Sequence, residues 1–254
     1  MTQGIALSTI IKGNFEMNTQ RPNSPLSNYQ YNTTAYDHRT LDDLLYNAKL
    51  NLNELIKLID RLFELHSRIL VIRIDLNYKT EVRNTVSIET VQMHREQLLA
   101  DRRKYPDEFK GLLGYAWCLE QGEKEGGYHH HLLAFYNGAE RIDGIGIGEA
   151  LRNLWDTITN GNGHCYISNF DKRKLEMEGR WGIGMIHRDN VALRINLIEN
   201  VATYITKKCT AFDIQSGRTE SGQFRTFGKS QTPKPLDPNI PRRGRPPVRD
   251  GSGW

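Results

Sequence analysis

Cysteine is scarce. Cys118, Cys165 and Cys209 are the only three in 254 residues, and no two stand in C-x-x-C spacing. That argues against a disulfide framework and against cysteine-rich zinc modules, and it suits a reducing cytoplasm. Long apolar runs are missing too: nothing approaches the roughly 18 residues of a membrane-spanning helix, so no membrane partner is expected. Residues 1–23 show neither an apolar h-region nor a small-residue cleavage site, so no secretory signal is expected. Apolar residues reach only 38%, against about 45–50% in ordinary globular domains. A deficit of that size suggests a normal core with polar tails that stay out of it. The net charge of +4 admits a polyanionic partner without requiring one.

What is present falls into three parts. Residues 1–37 are rich in Asn, Thr, Gln, Ser and Pro and lack any periodicity, which reads as a disordered N-terminal tail. Residues 232–254 hold most of the prolines together with Arg and Gly, a basic C-terminal tail. Between them, 38–231 is long enough for a sizeable core. Thr40, as N-cap, opens an amphipathic helix whose Leu41, Leu44, Leu45, Ala48, Leu52, Leu55, Ile59, Leu62 and Phe63 share a face. Ile69 to Leu76 reads as a central strand, and Ser87 with Thr90 begins a second helix. Leu113–Gln121 and Tyr128–Tyr136, joined by a glycine-bearing turn, read as a β-hairpin. A helix from about Ile147, strands at His164–Ser168 and Gly182–His187, and a helix from about Asn190 to Lys208 follow. The class is α+β, a central antiparallel sheet carrying the hairpin and flanked by helices.

The densest chemical signal is His129-His130-His131 at the start of the second hairpin strand. Side chains alternate on a strand, so His129 and His131 share a face about 7 Å apart and His130 points away, where truncation should be tolerated. Antiparallel pairing sets Glu120 roughly opposite His129 and adds a carboxylate. Two imidazoles and a carboxylate suit a divalent cation, Mn²⁺ or Mg²⁺ foremost, with Zn²⁺ also compatible. The second signal is Tyr204-Ile205-Thr206-Lys207-Lys208 near the end of the last helix. Lys207 and Lys208 lie three and four residues beyond Tyr204 and can share its face. Taken by itself the segment reads first as the end of a Leu193, Leu197, Val201 core stripe, with the lysines favouring the helix dipole. The other reading is a nucleophile whose phenolate an ammonium favours. Gly222–Ser230 misses phosphate-loop spacing by one residue, so no fused helicase is expected, and Gly144–Gly148 fails the dinucleotide pattern.

Paired histidines, a carboxylate on the partner strand and a later Tyr-x-x-Lys helix, in that order, resemble the HUH endonucleases that initiate rolling-circle replication. Trp117-Cys118-Leu119-Glu120, Tyr128-His129-His130-His131-Leu132-Leu133, Tyr204-Ile205-Thr206-Lys207 and Arg225-Thr226-Phe227-Gly228 carry the likeness. Among these enzymes the chain looks most like the inovirus-type, YagK/YfjJ-like initiators of phages and mobile elements. That resemblance implies a site-specific single-strand DNA nickase and strand transferase. Glu120, His129 and His131 would hold the metal, Tyr204 would form a 5′-phosphotyrosyl link, Lys207 would stabilise developing charge and Lys208 would contact DNA. Host helicase and polymerase would be partners, in a host cytoplasm. Two rivals remain, a non-catalytic DNA-binding regulator and a metal-dependent hydrolase using water. In the tail, Arg243-Gly244-Arg245-Pro246 resembles an AT-hook core, which implies contact with A·T-rich duplex.

Overall fold

The computed structural model describes residues 38–100, 102, 104–122, 127–207 and 225–235. Helix α1 (His38–Leu65) begins ahead of Thr40, so that residue lies inside the helix rather than capping it. Its stripe buries Leu55, Leu58, Ile59, Leu62 and Phe63 against the sheet. The other helices of note are α2 (Ile88–Ala100), the single turn α3 (Pro106–Phe109) and α4 (Gly144–Ile158). Ser87 Oγ accepts from the Thr90 N–H at 3.3 Å, the expected cap of α2. The glycine run at 144–148 forms the first turns of α4, because Asp143 caps Gly146 N–H and Ile147, Leu151, Leu154 and Trp155 are buried behind it. That burial outweighs the poor helix propensity of glycine.

Strand β1 (Arg68–Tyr78) is central. The hairpin is β2 (Leu112–Gln121) and β3 (Tyr128–Asn137), and β4 (Gly163–Ile167), β5 (Gly184–His187) and β6 (Phe227–Lys229) complete the sheet. The order is β4-β1-β3-β2-β6, every pair is antiparallel, and β5 also pairs with β1. Since β3 occupies one edge of β1, β4 and β5 share the other, against Ile74–Tyr78 and Arg68–Val71 respectively. Asn169, on the 3₁₀ turn Ser168–Asp171, fills the gap between them. Its Oδ1 accepts from Arg73 N–H and its Nδ2 donates to the Val71 carbonyl, both at 3.0 Å.

Alternation along the strands divides the core by face. Ile69, Val71, Ala116, Cys118, Leu133 and Phe135 meet α1 and the C-terminal helix on one face. Leu70, Ile72, Leu119, Leu132 and Ala134 meet α2 and α4 on the other. After α5 (Lys172–Met177), that C-terminal helix starts as α6 (Val191–Asn196), passes through a π-helical stretch at Leu197–Ala202 and resumes α-helical form at 203–207. Buried Asp60 on α1 pairs with Arg194 at 3.2 Å and ties the two helices together. The expected N-terminal tail and most of the C-terminal one lie outside the described residues. Pro233 still meets the body, its carbonyl accepting from Arg61 Nε at 3.3 Å. No helix of the described residues is long and apolar enough to cross a membrane.

Candidate metal centre

Hairpin register sets Glu120 directly opposite His129, as expected from the turn. Glu120, His129 and His131 each offer one ligand atom, and these atoms lie within 4.8 Å of one another. Glu120 Oε2 is 2.6 Å from His131 Nε2 and 3.5 Å from His129 Nε2, and the two rings stand 5.0 Å apart. Glu120 and His131 are buried and His129 is half-buried. Two imidazole nitrogens and a carboxylate oxygen converging at one point fit a divalent cation.

His130 faces the opposite way, as alternation requires, but into the core rather than into solvent. Its ring is fully buried, 5.4 Å from that of Trp117, and Nδ1 donates to the Cys118 carbonyl at 3.3 Å. Burial, with Arg95 nearby, holds its pKa well below the usual imidazole value. Truncation there is therefore a core change and not the neutral one that the strand pattern suggests.

Two residues escaped the sequence reading. Asp75, on β1 opposite His131, accepts a hydrogen bond from His131 Nδ1 at 2.6 Å. This fixes the ring with Nε2 turned toward Glu120, the arrangement by which outer carboxylates orient ligating imidazoles. Burial opposes charge on His131, but the Asp75 carboxylate and hydrogen bonds from Asp75 and Glu120 overcome it and raise the ring to about 9. Burial would likewise raise the Asp75 carboxyl, yet the His131 ring, helped by Arg73, turns the net shift downward. Arg73, two residues before Asp75 on the same face, has its guanidinium 4.4 Å above the Tyr204 ring. The polar alternation Arg73, Asp75, Asn77 was the available signal, and it had been taken only as a strand losing its cover.

Tyr204 is half-buried, with its ring 5.6 Å from that of His131. The two sequence signals therefore meet. The wide turn just before Tyr204 is held by Thr203, whose N–H and hydroxyl both donate to the Ile198 carbonyl. Leu197, Ile198, Val201, Ala202, Ile205 and Thr206 form the buried stripe, and Tyr204 flanks it on the side of the histidines. Lys207 is half-buried and its pKa is lowered by burial. Lys208, Arg243, Gly244, Arg245 and Pro246 lie outside the described residues. His187 is exposed on β5, paired with Arg68 at the end of β1 away from Asp75. A cavity of about 750 Å³ opens beside His129, between the β1–α2 loop and the base of the hairpin, where Gly127 takes φ +84° against the Arg83 backbone.

Neither a curated protein nor a solved structure matches the chain. One family model does, that of the replication-associated protein ORF2 and its relatives. It spans residues 74–209, more than half of the chain, and includes Asp75, Glu120, His129, His131 and Tyr204. The chain belongs to this replication-associated protein family.

Proposed function

We propose that the protein is a site-specific single-strand DNA nickase and strand transferase that starts rolling-circle replication, in the manner of the inovirus-type initiators. The observation that carries this reading is the approach of the Tyr204 ring to His131 across two distant stretches of chain. A tyrosine serving only as core would have no reason to leave the apolar stripe for a polar cluster. Glu120, His129 and His131 would hold a divalent cation, Mn²⁺ or Mg²⁺ by donor type, which when bound polarises the scissile phosphate.

The chain's own groups do the rest. The Tyr204 oxygen attacks phosphorus, and a tyrosyl O–P bond forms as the P–O3′ bond breaks. The phenolic proton is lost, the departing 3′ oxygen gains a proton, and a 3′-hydroxyl is left for a polymerase to extend. Lys207 offers an ammonium to the developing negative charge. Arg73 steadies the ring by stacking on it. Because the phosphotyrosyl bond keeps the phosphodiester's energy, the reverse attack by a 3′-hydroxyl rejoins DNA.

The test is incubation with origin-bearing single-stranded DNA and Mn²⁺, followed by a denaturing gel. A protein–DNA adduct is expected from the wild type, and Tyr204→Phe should lose it while keeping DNA affinity within about threefold, since only one hydroxyl is removed. Free 5′-phosphate ends without adduct would indicate a hydrolase using water, and no cleavage would indicate a DNA-binding regulator. An adduct that persists in Tyr204→Phe would move the nucleophile elsewhere.

A further inference from the structure

The face that carries Asp75 and His131 continues outward to the β4 edge. Along β4, Gly163, Cys165 and Ile167 are buried while His164 and Tyr166 are exposed. Tyr166 pairs with Asp75 and His164 with Asn77. Directly paired residues project to the same side of a sheet, so both rings stand beside the metal centre on its own face. An edge strand's solvated side usually carries charged or small polar groups; here it carries two rings, and Tyr166 is 47% exposed.

Three further features bear on what would cover these rings. The Tyr166 hydroxyl donates to the Asp171 carboxylate, which holds the ring in one orientation. The cavity beside His129 is also lined by His164 and Asn77, so open space runs from the edge strand to a ligand of the metal centre. Lys79 and Arg83 line that space, and exposed Lys172, Arg173 and Lys174 follow the turn that bears Asp171. Flat rings with cations at their margins complement a strand of unpaired bases on a phosphate backbone.

We propose that Tyr166 and His164 form a base-stacking platform for single-stranded DNA, from which the strand passes through the cavity at Asn77 to the metal centre. The proposal deepens the functional reading above and rests on DNA being the substrate of that site. Stacking needs the ring of Tyr166 and not its hydroxyl, and it needs bases on the bound strand.

Binding is measured by fluorescence anisotropy with a labelled oligothymidylate of about 20 nucleotides, long enough to fill a single-strand site. EDTA is present, so cleavage makes no contribution. Tyr166→Ala is expected to bind about tenfold more weakly and Tyr166→Phe close to wild type, since one aromatic platform contributes on that scale. Wild type should bind an abasic strand of equal length about as weakly as Tyr166→Ala binds oligothymidylate. This arm needs no variant and so decides the matter even if Tyr166→Ala unfolds. Equal wild-type affinity for base-bearing and abasic strands, or an unchanged Tyr166→Ala, would overturn the platform. The adduct assay separates the two readings. Adduct formation with no Tyr166 effect removes the platform alone, whereas a Tyr166 effect with no adduct removes the nickase alone.

Discussion

Asp75 is the residue on which the candidate centre turns, because it holds a proton that a metal must compete with. In the metal-free protein the His131 pKa of about 9 lies above its unfolded value of about 6.5. The Asp75–His131 pair therefore contributes stability that is fully present below about 6.5 and is lost as pH rises through about 9. Metal binding runs the other way, since ligation through Nε2 expels that proton while Nδ1–H stays on Asp75. Mn²⁺ affinity should rise about tenfold per unit between roughly pH 6.5 and 8.5, with one proton released per metal. Calorimetry in two buffers of different ionisation enthalpy measures both. Asp75→Asn should flatten that slope and lower affinity at the plateau by about 10–100-fold, the usual cost of losing a carboxylate behind a ligating histidine. A slope unchanged in Asp75→Asn would show that another group controls the proton. His130 raises a different question at the same scale, since it sits between the two ligands but faces the core. His130→Ala should cost about 2–4 kcal/mol for the vacated volume, read in urea unfolding, while the folded protein still binds Mn²⁺. His130→Phe should recover most of that stability, because an apolar ring fills the space beside Trp117. Loss of Mn²⁺ binding from folded His130→Ala would mean that the ligand register is wrong.

Among the elements, β1 governs the site because it supplies both Arg73 and Asp75, and its outer edge is interrupted where Arg73 lies. Asn169 replaces the missing strand there with one side-chain amide. Asn169→Leu would leave the Arg73 N–H and the Val71 carbonyl buried without that partner, at about 1–3 kcal/mol each. The expected loss is about 2–4 kcal/mol in urea, with faster amide exchange at Arg73 than at its neighbours on β1. Unchanged exchange at Arg73 would mean that water or backbone replaces the amide. The C-terminal helix is the other element in command. Its π-helical stretch adds a residue to the turn before Tyr204, and such bulges recur at functional sites. A regular α-helix from Asn190 would have carried Tyr204 round to a different azimuth, which is why the apolar stripe alone left its role open.

At the scale of the whole molecule, a body that positions chemistry is flanked by stretches of chain with different composition. We propose that Pro241–Trp254 acts independently of the nickase body, with Arg243-Gly244-Arg245-Pro246 entering the narrow minor groove of A·T tracts. Removing 241–254 should then weaken binding to A·T-rich duplex about tenfold more than to G·C-rich duplex. Cleavage of a single-stranded origin oligonucleotide should be nearly unchanged. Equal loss on both duplexes would reduce the tail to plain electrostatics, and lost cleavage would join it to the catalytic body.

The period-two and helical patterns were legible in the sequence because they record burial on a strand face or a helix stripe, which neighbouring residues determine. They sufficed for the α+β class, the hairpin, its register and the Glu120, His129, His131 set, since a tight turn leaves two adjacent strands few ways to pair. Contacts between residues far apart in the chain left no such local trace. Asp75 reaches His131 only because β1 lies beside β3 rather than beside β2, and strand order is a property of the whole sheet. Tyr204 reaches the same cluster only through a π turn and through α1 and the sheet, which bury the rest of its helix. Those placements are set by packing across the molecule, and only the tertiary structure decided them.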